Sequence, residues 1–188
     1  FDLQLQHAVH LAGNHHVVWG GGYRVGHDRV ENGVRFGFLP GTLNLHWANL
    51  FAQDEIALRD DLRLTAGLKF EDNNYTGVEV LPTLRLAWNP RPAALVWSSL
   101  SRAVRAPSRI DRDFYSPTTP PVVNGVPQYG VAGGPDFASE TANVFELGYR
   151  AQPHAALTYS TTLFSGRYDR LRTMEPNPQG QGAVFEDL

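Results

Sequence analysis

The sequence predicts an all-β protein, an antiparallel up-and-down segment of a transmembrane β-barrel with about eight strands. Apolar and polar residues alternate with a period of two along most of the chain, as they do in strands that bury only one face. Short and longer connections also alternate, which is typical of the short periplasmic turns and long extracellular loops of outer-membrane barrels. Helix signals, by contrast, are nearly absent.

Eight segments carry the strand pattern, and most have the ~9–11 residues with which a tilted strand crosses a bilayer. We place the strands at 1–12, 16–25, 43–58, 62–73, 78–89, 93–105, 141–151 and 156–172. The alternation also predicts which side chains share a face. The polar face should hold Arg63, Lys69, Arg85, Glu146 and Arg150. The opposite, apolar face should hold Leu64, Leu68, Leu86 and Leu147.

The connections between these strands predict hairpins, because each tight turn joins two antiparallel neighbours. Tight turns are predicted at 13–16, 59–61, 89–92 and 152–154, and longer links at 26–42, 74–77, 106–140 and after 173. The link 106–140 is rich in proline and glycine, which argues against regular structure there. We therefore expect it to be the least ordered internal segment. The tip "FEDNNY" (70–75) lacks the spacing of a calcium loop and is predicted to be solvated.

Composition excludes several classes of function. There are 16 basic and 19 acidic residues, a net charge of −3, which does not suit a nucleic-acid partner. The absence of cysteine excludes disulfides and thiolate sites. No metal-ligand spacing recurs among the seven histidines, and no nucleophile elbow is present. We therefore predict no catalytic residues, no metal site and no cofactor.

Two motifs separated by the long link carry a family resemblance. The first is "WSSLSRAVRAP", in which Arg105 precedes Pro107. The second is "SETANVFELGYR". Its motif residues are Glu140, Asn143, Glu146 and Gly148. An aromatic strand, "LTYSTTLFSGRYDRLRTM", follows. In this order the motifs resemble the barrel of TonB-dependent outer-membrane receptors over about 43–175, with 1–25 as one further hairpin.

The resemblance implies a receptor in the outer membrane of a Gram-negative bacterium, in contact with lipid. Such a receptor imports a scarce ligand, most often a ferric siderophore, and the TonB complex supplies energy through a plug domain. No plug domain, TonB box or terminal strand is visible, so residues 1–188 are expected to be an internal part of the barrel. The resemblance also places ligand recognition in the link 106–140 and beside it. The predicted ligand-binding residues are Arg102, Arg105, Arg109, Arg112, Tyr115 and Tyr129.

The arginines allow two interpretations. Pro107 has no amide donor and should end its strand, which places Arg102 and Arg105 near the outer mouth on opposite faces. They would either attract an anionic ligand or pair with carboxylates such as Glu140 and Glu146 and hold the wall together.

A soluble all-β barrel that binds a small ligand in its interior is the alternative fold. The polarity of the two faces distinguishes them, because a soluble barrel turns its apolar face inward and a membrane barrel turns it outward.

Overall fold

The computed structural model describes residues 1–11, 13–177 and 182–187. Its main feature is one antiparallel sheet of eight long strands, in which every strand pairs with its neighbours along the chain. These strands are β1 (Asp2–Leu11), β2 (His15–Arg29), β4 (Thr42–Arg59), β5 (Leu62–Asn73), β6 (Gly77–Arg91), β7 (Ala94–Arg105), β12 (Glu140–His154) and β13 (Leu157–Asp169). The eight predicted strands and their up-and-down order are confirmed. In the described residues β1 and β13 form the two edges and do not pair with each other.

Two predicted turns lie too early in the sequence. The turn expected at 89–92 falls at 92–93, because β6 continues to Arg91, and the turn expected at 152–154 falls at 155–156. The register of each hairpin shifts beside the turn, between Trp88 and Arg91 in one and between Ala151 and His154 in the other. These irregularities let each strand continue past a proline that otherwise signals a turn. Parts of two predicted segments lie outside the described residues. These are residue 12, at the end of the first predicted strand, and residues 178–181 and 188, in the link predicted after 173.

The strand register confirms the predicted faces. Arg85 lies opposite both Thr65 and Ser99, and Ser99 lies opposite Glu146. Side chains at directly opposed positions point to the same side of a sheet, so these polar residues form one row. The adjacent row lies on the other face. In it Leu64 lies opposite Leu86, and Ser98 lies opposite both Leu86 and Leu147.

The apolar face is exposed in this chain. Leu5 on β1 is 65% exposed, Leu50 on β4 61% and Leu163 on β13 67%. A soluble barrel would enclose these side chains, whereas here the sheet stays open in the described residues and leaves them exposed. The soluble alternative is therefore not favoured.

The longer links meet at one end of the sheet in a small domain that we call the cap. Its described elements are β3 (Gly37–Phe38), α1 (Arg109–Asp113), β8 (Phe114–Ser116), β9 (Val122–Val123), β10 (Val126–Pro127), β11 (Val131–Ala132), β14 (Arg172–Pro176) and β15 (Ala183–Asp187). Five of these strands form a second sheet in the order β14-β15-β11-β8-β3, and β9 pairs with β10. Phe137 and Phe185 are buried in the cap.

The irregular structure predicted for 106–140 is wrong, because this link contains one helix and four short strands. Helix α1 begins at Arg109, directly after its N-cap residue Ser108, and a capping box joins Ser108 and Asp111. Asn124 and Gly125 both have positive φ, 51° and 83°, which is the geometry of a two-residue hairpin turn. Among the described residues no helix is long and apolar enough to cross a membrane.

Candidate functional site

Arg105 is held by carboxylates where β7 meets the cap. The strand ends at Arg105, two residues before Pro107, as predicted. The Arg105 guanidinium donates to both carboxylate oxygens of Glu140, at 2.5 and 3.0 Å, and a third hydrogen bond reaches Asp111 at 3.1 Å. Glu146, the other predicted partner, instead accepts a hydrogen bond of 2.8 Å from the Ser99 hydroxyl. The contacts of Arg105 therefore follow the wall-holding interpretation.

Asp111 is the buried centre of the cap, with 0% of its side chain exposed. Oδ2 accepts hydrogen bonds from the amide and the hydroxyl of Ser108, both at 2.8 Å, and Arg172 Nε lies 3.1 Å from Oδ1. Burial alone would raise the pKa of Asp111, but the hydrogen bonds from Ser108 and the charge of Arg105 outweigh burial and hold the pKa below its usual value. The carboxylate thus ties together β7, α1 and the chain after β13.

Arg109 joins two further links and is only 8% exposed. Its guanidinium donates to Asp28 at 2.6 Å and to Asp113 at 3.2 Å, and also to the carbonyl of Pro40. The guanidinium carbon lies 4.9 Å from the centre of the Phe38 ring. This buried cation anchors the start of the link 106–140 to the link that follows β2.

Arg112 and Tyr75 form the next contact. Arg112 donates to the carbonyls of Tyr75, at 2.7 Å, and Pro135, and lies over the Tyr75 ring. The Tyr75 hydroxyl donates to Asp113 at 2.8 Å, and burial and this carboxylate raise the pKa of Tyr75. The prediction that the tip 70–75 is solvated is therefore wrong for Tyr75, and also for Asn73, which is buried. Nothing in the spacing of "FEDNNY" signals this contact, because Asp113 is 38 residues away.

The remaining predicted site residues lie outside this network. Arg102 Nη2 is 3.8 Å from Glu79 Oε2, a longer ion pair. The rings of Tyr115 on β8 and Tyr129 lie 4.9 Å apart at 53°, and burial raises the pKa of Tyr115. The structure thus unites three of the four arginines, pairs the two tyrosines, and leaves Arg102 with Glu79. Whether these residues bind a ligand remains a prediction.

Packing against Trp97 explains the glycine at position 148 of the second motif. Gly148 lies opposite Trp97 of β7 on the polar face, and the indole covers its Cα. A Cβ added at Gly148 would lie 2.1 Å from Trp97 Cε2, closer than any real contact, so only glycine fits beneath this ring.

We expect the substitution Gly148→Ala to destabilise the sheet by about 1–3 kcal/mol, since the indole must move. Urea unfolding in detergent, followed by tryptophan fluorescence, measures the loss. Gly26→Ala on β2 is the matched control, because nothing lies within 4 Å of its added Cβ. Equal stability losses in the two variants would contradict the packing argument.

The link 106–140 has a well-held part and an exposed part, which should differ in mobility. Residues 108–116 are held by buried Asp111 and Arg109, whereas the β9–β10 hairpin leaves Val122 64% exposed. We expect amide hydrogens at 119–128 to exchange faster than those at 62–70 and 80–88, and those at 109–116 to exchange at intermediate rates. Hydrogen exchange in detergent, read by mass spectrometry, gives the rates. Protection at 119–128 equal to that of the long strands would contradict this prediction.

Comparison with known proteins identifies the architecture. A family model described as TonB dependent receptor-like, beta-barrel matches residues 1–185. A mutant of the ferric enterobactin receptor PfeA from Pseudomonas aeruginosa aligns over 99% of this chain and 31% of its own, at 20% identity and a TM-score of 0.73.

Two further solved structures show the same fold. The siderophore receptor PirA from P. aeruginosa gives 17% identity and a TM-score of 0.74 over 100% of this chain and 36% of its own. The FrpB iron transporter from Neisseria meningitidis gives 14% identity and a TM-score of 0.66 over 98% of this chain and 30% of its own. Comparison with curated proteins gives no match. The chain therefore spans about a third of the length of these structures.

Proposed function

The chain belongs to the TonB-dependent receptor β-barrel family, and on this premise we propose that it forms part of an outer-membrane receptor that imports a ferric siderophore. The observation that carries the proposal is the open antiparallel sheet with one polar and one exposed apolar face, which aligns over nearly its whole length with solved siderophore receptors. Transport of this kind involves no covalent chemistry, and no catalytic residue is assigned.

Each face has its own partner in this proposal. The apolar face contacts outer-membrane lipid, and the polar row through Arg85, Ser99 and Glu146 faces the barrel lumen. Energy comes from the TonB complex acting through a plug domain. A net charge of −3 gives no support to a nucleic-acid partner.

Ligand contact is assigned to the cap and the adjoining wall. Arg105 and Arg109 make most of their hydrogen bonds to carboxylates, so their part is to shape the mouth and keep its loops in place. Tyr115 and Tyr129 form a tilted aromatic pair that offers ring faces and hydroxyls to a ligand. Arg102 and Arg112 are also proposed to contact the ligand, Arg102 from beside Glu79 and Arg112 from beside Tyr75.

Uptake of ⁵⁵Fe-siderophores by iron-limited cells tests the proposal. Cells that lack the gene should lose uptake of one ferric siderophore and regain it from a plasmid, with the protein in the outer-membrane fraction. Combined Tyr115→Ala and Tyr129→Ala substitutions should lower uptake at least tenfold at equal protein abundance, whereas Val122→Ala in the same link should not. Unchanged uptake of every ferric siderophore after deletion would overturn the function. Normal uptake by the double variant would overturn only the assigned contact.

A further inference from the structure

Two histidines face each other across the first hairpin. His10 on β1 lies directly opposite His16 on β2, and their rings stack with centroids 4.3 Å apart and planes at 26°. In the part of the chain that the structure describes, neither imidazole has a hydrogen-bond or ion-pair partner. His10 is exposed and His16 half-buried, so solutes reach the pair from the polar face.

A carboxylate continues the same row. Glu55 on β4 lies directly opposite His16, so the three side chains stand next to one another on one face. Glu55 now lies 3.8 Å from Arg63 Nε, and these two side chains are 44% and 61% exposed. An exposed pair at this distance contributes little to stability. The Glu55 carboxylate can therefore leave Arg63 and bind another cation with little loss of free energy.

The backbone around the row is fixed independently. The Asn14 side chain donates to the Ala57 carbonyl at 2.5 Å, and the Ala57 amide donates to the Asn14 carbonyl at 2.9 Å. These two hydrogen bonds hold the start of β2 against β4, so the three side chains keep their register without any ligand.

We propose that His10, His16 and Glu55 form a binding site for a divalent transition metal such as Zn²⁺ or Cu²⁺. Imidazole and carboxylate ligands suit these ions, and water completes a tetrahedral Zn²⁺ site. As the side chains stand, no three such groups of the described residues surround one point. Two imidazole nitrogens on one Zn²⁺ lie about 3.3 Å apart, so binding requires the two rings, whose centroids are now 4.3 Å apart, and the Glu55 carboxylate to rotate toward a common point.

The bound metal crosslinks three neighbouring strands at the tight-turn end of the sheet, far from the cap. This site is independent of the proposed ligand import. The neighbouring His15 provides an internal contrast, since it lies on the opposite face and its Nδ1 is 2.7 Å from Asp54 Oδ2.

Isothermal titration of the untagged chain in detergent with ZnCl₂ at pH 7.5 tests the site. We expect saturable binding of one Zn²⁺ per chain, at least tenfold weaker in His10→Ala and in His16→Ala and unchanged in His15→Ala. A severalfold loss is expected in Glu55→Gln. Absence of saturable binding, or equal losses in His15→Ala and His10→Ala, would overturn the proposal, and unchanged binding in Glu55→Gln would remove Glu55 from the site.

A second measurement needs no variant and so does not depend on how the variants fold. Electron paramagnetic resonance of the wild-type chain with one equivalent of Cu²⁺ should show hyperfine coupling to two imidazole nitrogens. A spectrum of hydrated Cu²⁺ alone, or coupling to a single nitrogen, contradicts a site built on the histidine pair.

Discussion

Replacing Asp111 by alanine is expected to release the cap from the end of the sheet. The Asp111 carboxylate is completely buried and takes hydrogen bonds or ion pairs from Ser108, Arg105 and Arg172. Losing these contacts is expected to cost about 3 kcal/mol, since a hydrogen bond to a charged group is worth about 1.5–3 kcal/mol. Arg105 keeps its two hydrogen bonds to Glu140, and Arg105 and Arg172 are 44% and 39% exposed, so solvent offsets part of the loss. Amide protection at 108–116 and 172–176 should therefore fall about a hundredfold or more, while the long strands keep theirs.

Asp136→Ala is the matched control for this experiment, since Asp136 is an exposed carboxylate in the same link. Hydrogen exchange and limited proteolysis in detergent should leave it close to wild type. Cap protection lost equally in both variants would contradict the special role given to the buried Asp111 carboxylate. Unchanged protection in Asp111→Ala would show that the hydrophobic contacts of Phe137 and Phe185 hold the cap alone.

The same carboxylate predicts how the cap responds to acid. Because the pKa of Asp111 is lowered in the folded chain, its stabilisation is fully present above the unfolded value of about 3.9 and is lost as the pH falls through the folded value. The wild-type cap should therefore stay protected at neutral pH and begin to lose protection only below about pH 4. Asp111→Asn should be open at neutral pH and lack this transition.

The sheet could be predicted from the sequence, since it depends on local alternation. Leu64 and Leu68 reveal their face through spacing alone, and the sheet order follows once each tight turn makes a hairpin. The two misplaced turns share one cause, because Pro90 and Pro153 imitate turn signals within strands that continue through an irregular register.

The cap could not be predicted, because its contacts join distant parts of the chain. Arg109 bonds to Asp28 over 81 residues and to Pro40 over 69, and no local pattern encodes such pairs. Helix α1 has five residues, too few for a periodic signal, although the spacing of Ser108 and Asp111 marks a capping box.

The histidine pair is an intermediate case. His10 and His16 are six apart, a spacing that matches no single-strand ligand pattern. They become neighbours because both are three residues from the turn position Gly13, so applying hairpin register to the sequence would have found them.

In water without detergent the chain is expected to associate. The edges β1 and β13 leave backbone donors and acceptors unpaired in the described sheet, and the apolar face exposes large side chains such as Leu5 and Leu163. Open edges and broad apolar patches both favour association. Closure into a small eight-stranded barrel is the competing outcome, but it requires a new stagger and would still leave the apolar face in water.

Sedimentation velocity with and without detergent decides between association and closure. Two double variants distinguish association through the apolar face from association through the strand edges. Leu5→Lys with Leu163→Lys places charges on the apolar face of the two edge strands, whereas Gln6→Lys with Thr162→Lys places equal charges on their polar face. Association through the apolar face should fall only in the leucine variant, since lysines on the other face leave the patch intact. Association through the edges should fall in both, because lysine on either face of an edge strand hinders pairing. We expect the leucine variant to show the larger effect and detergent to disperse all three proteins. A monodisperse wild-type monomer in water would contradict both mechanisms and favour closure.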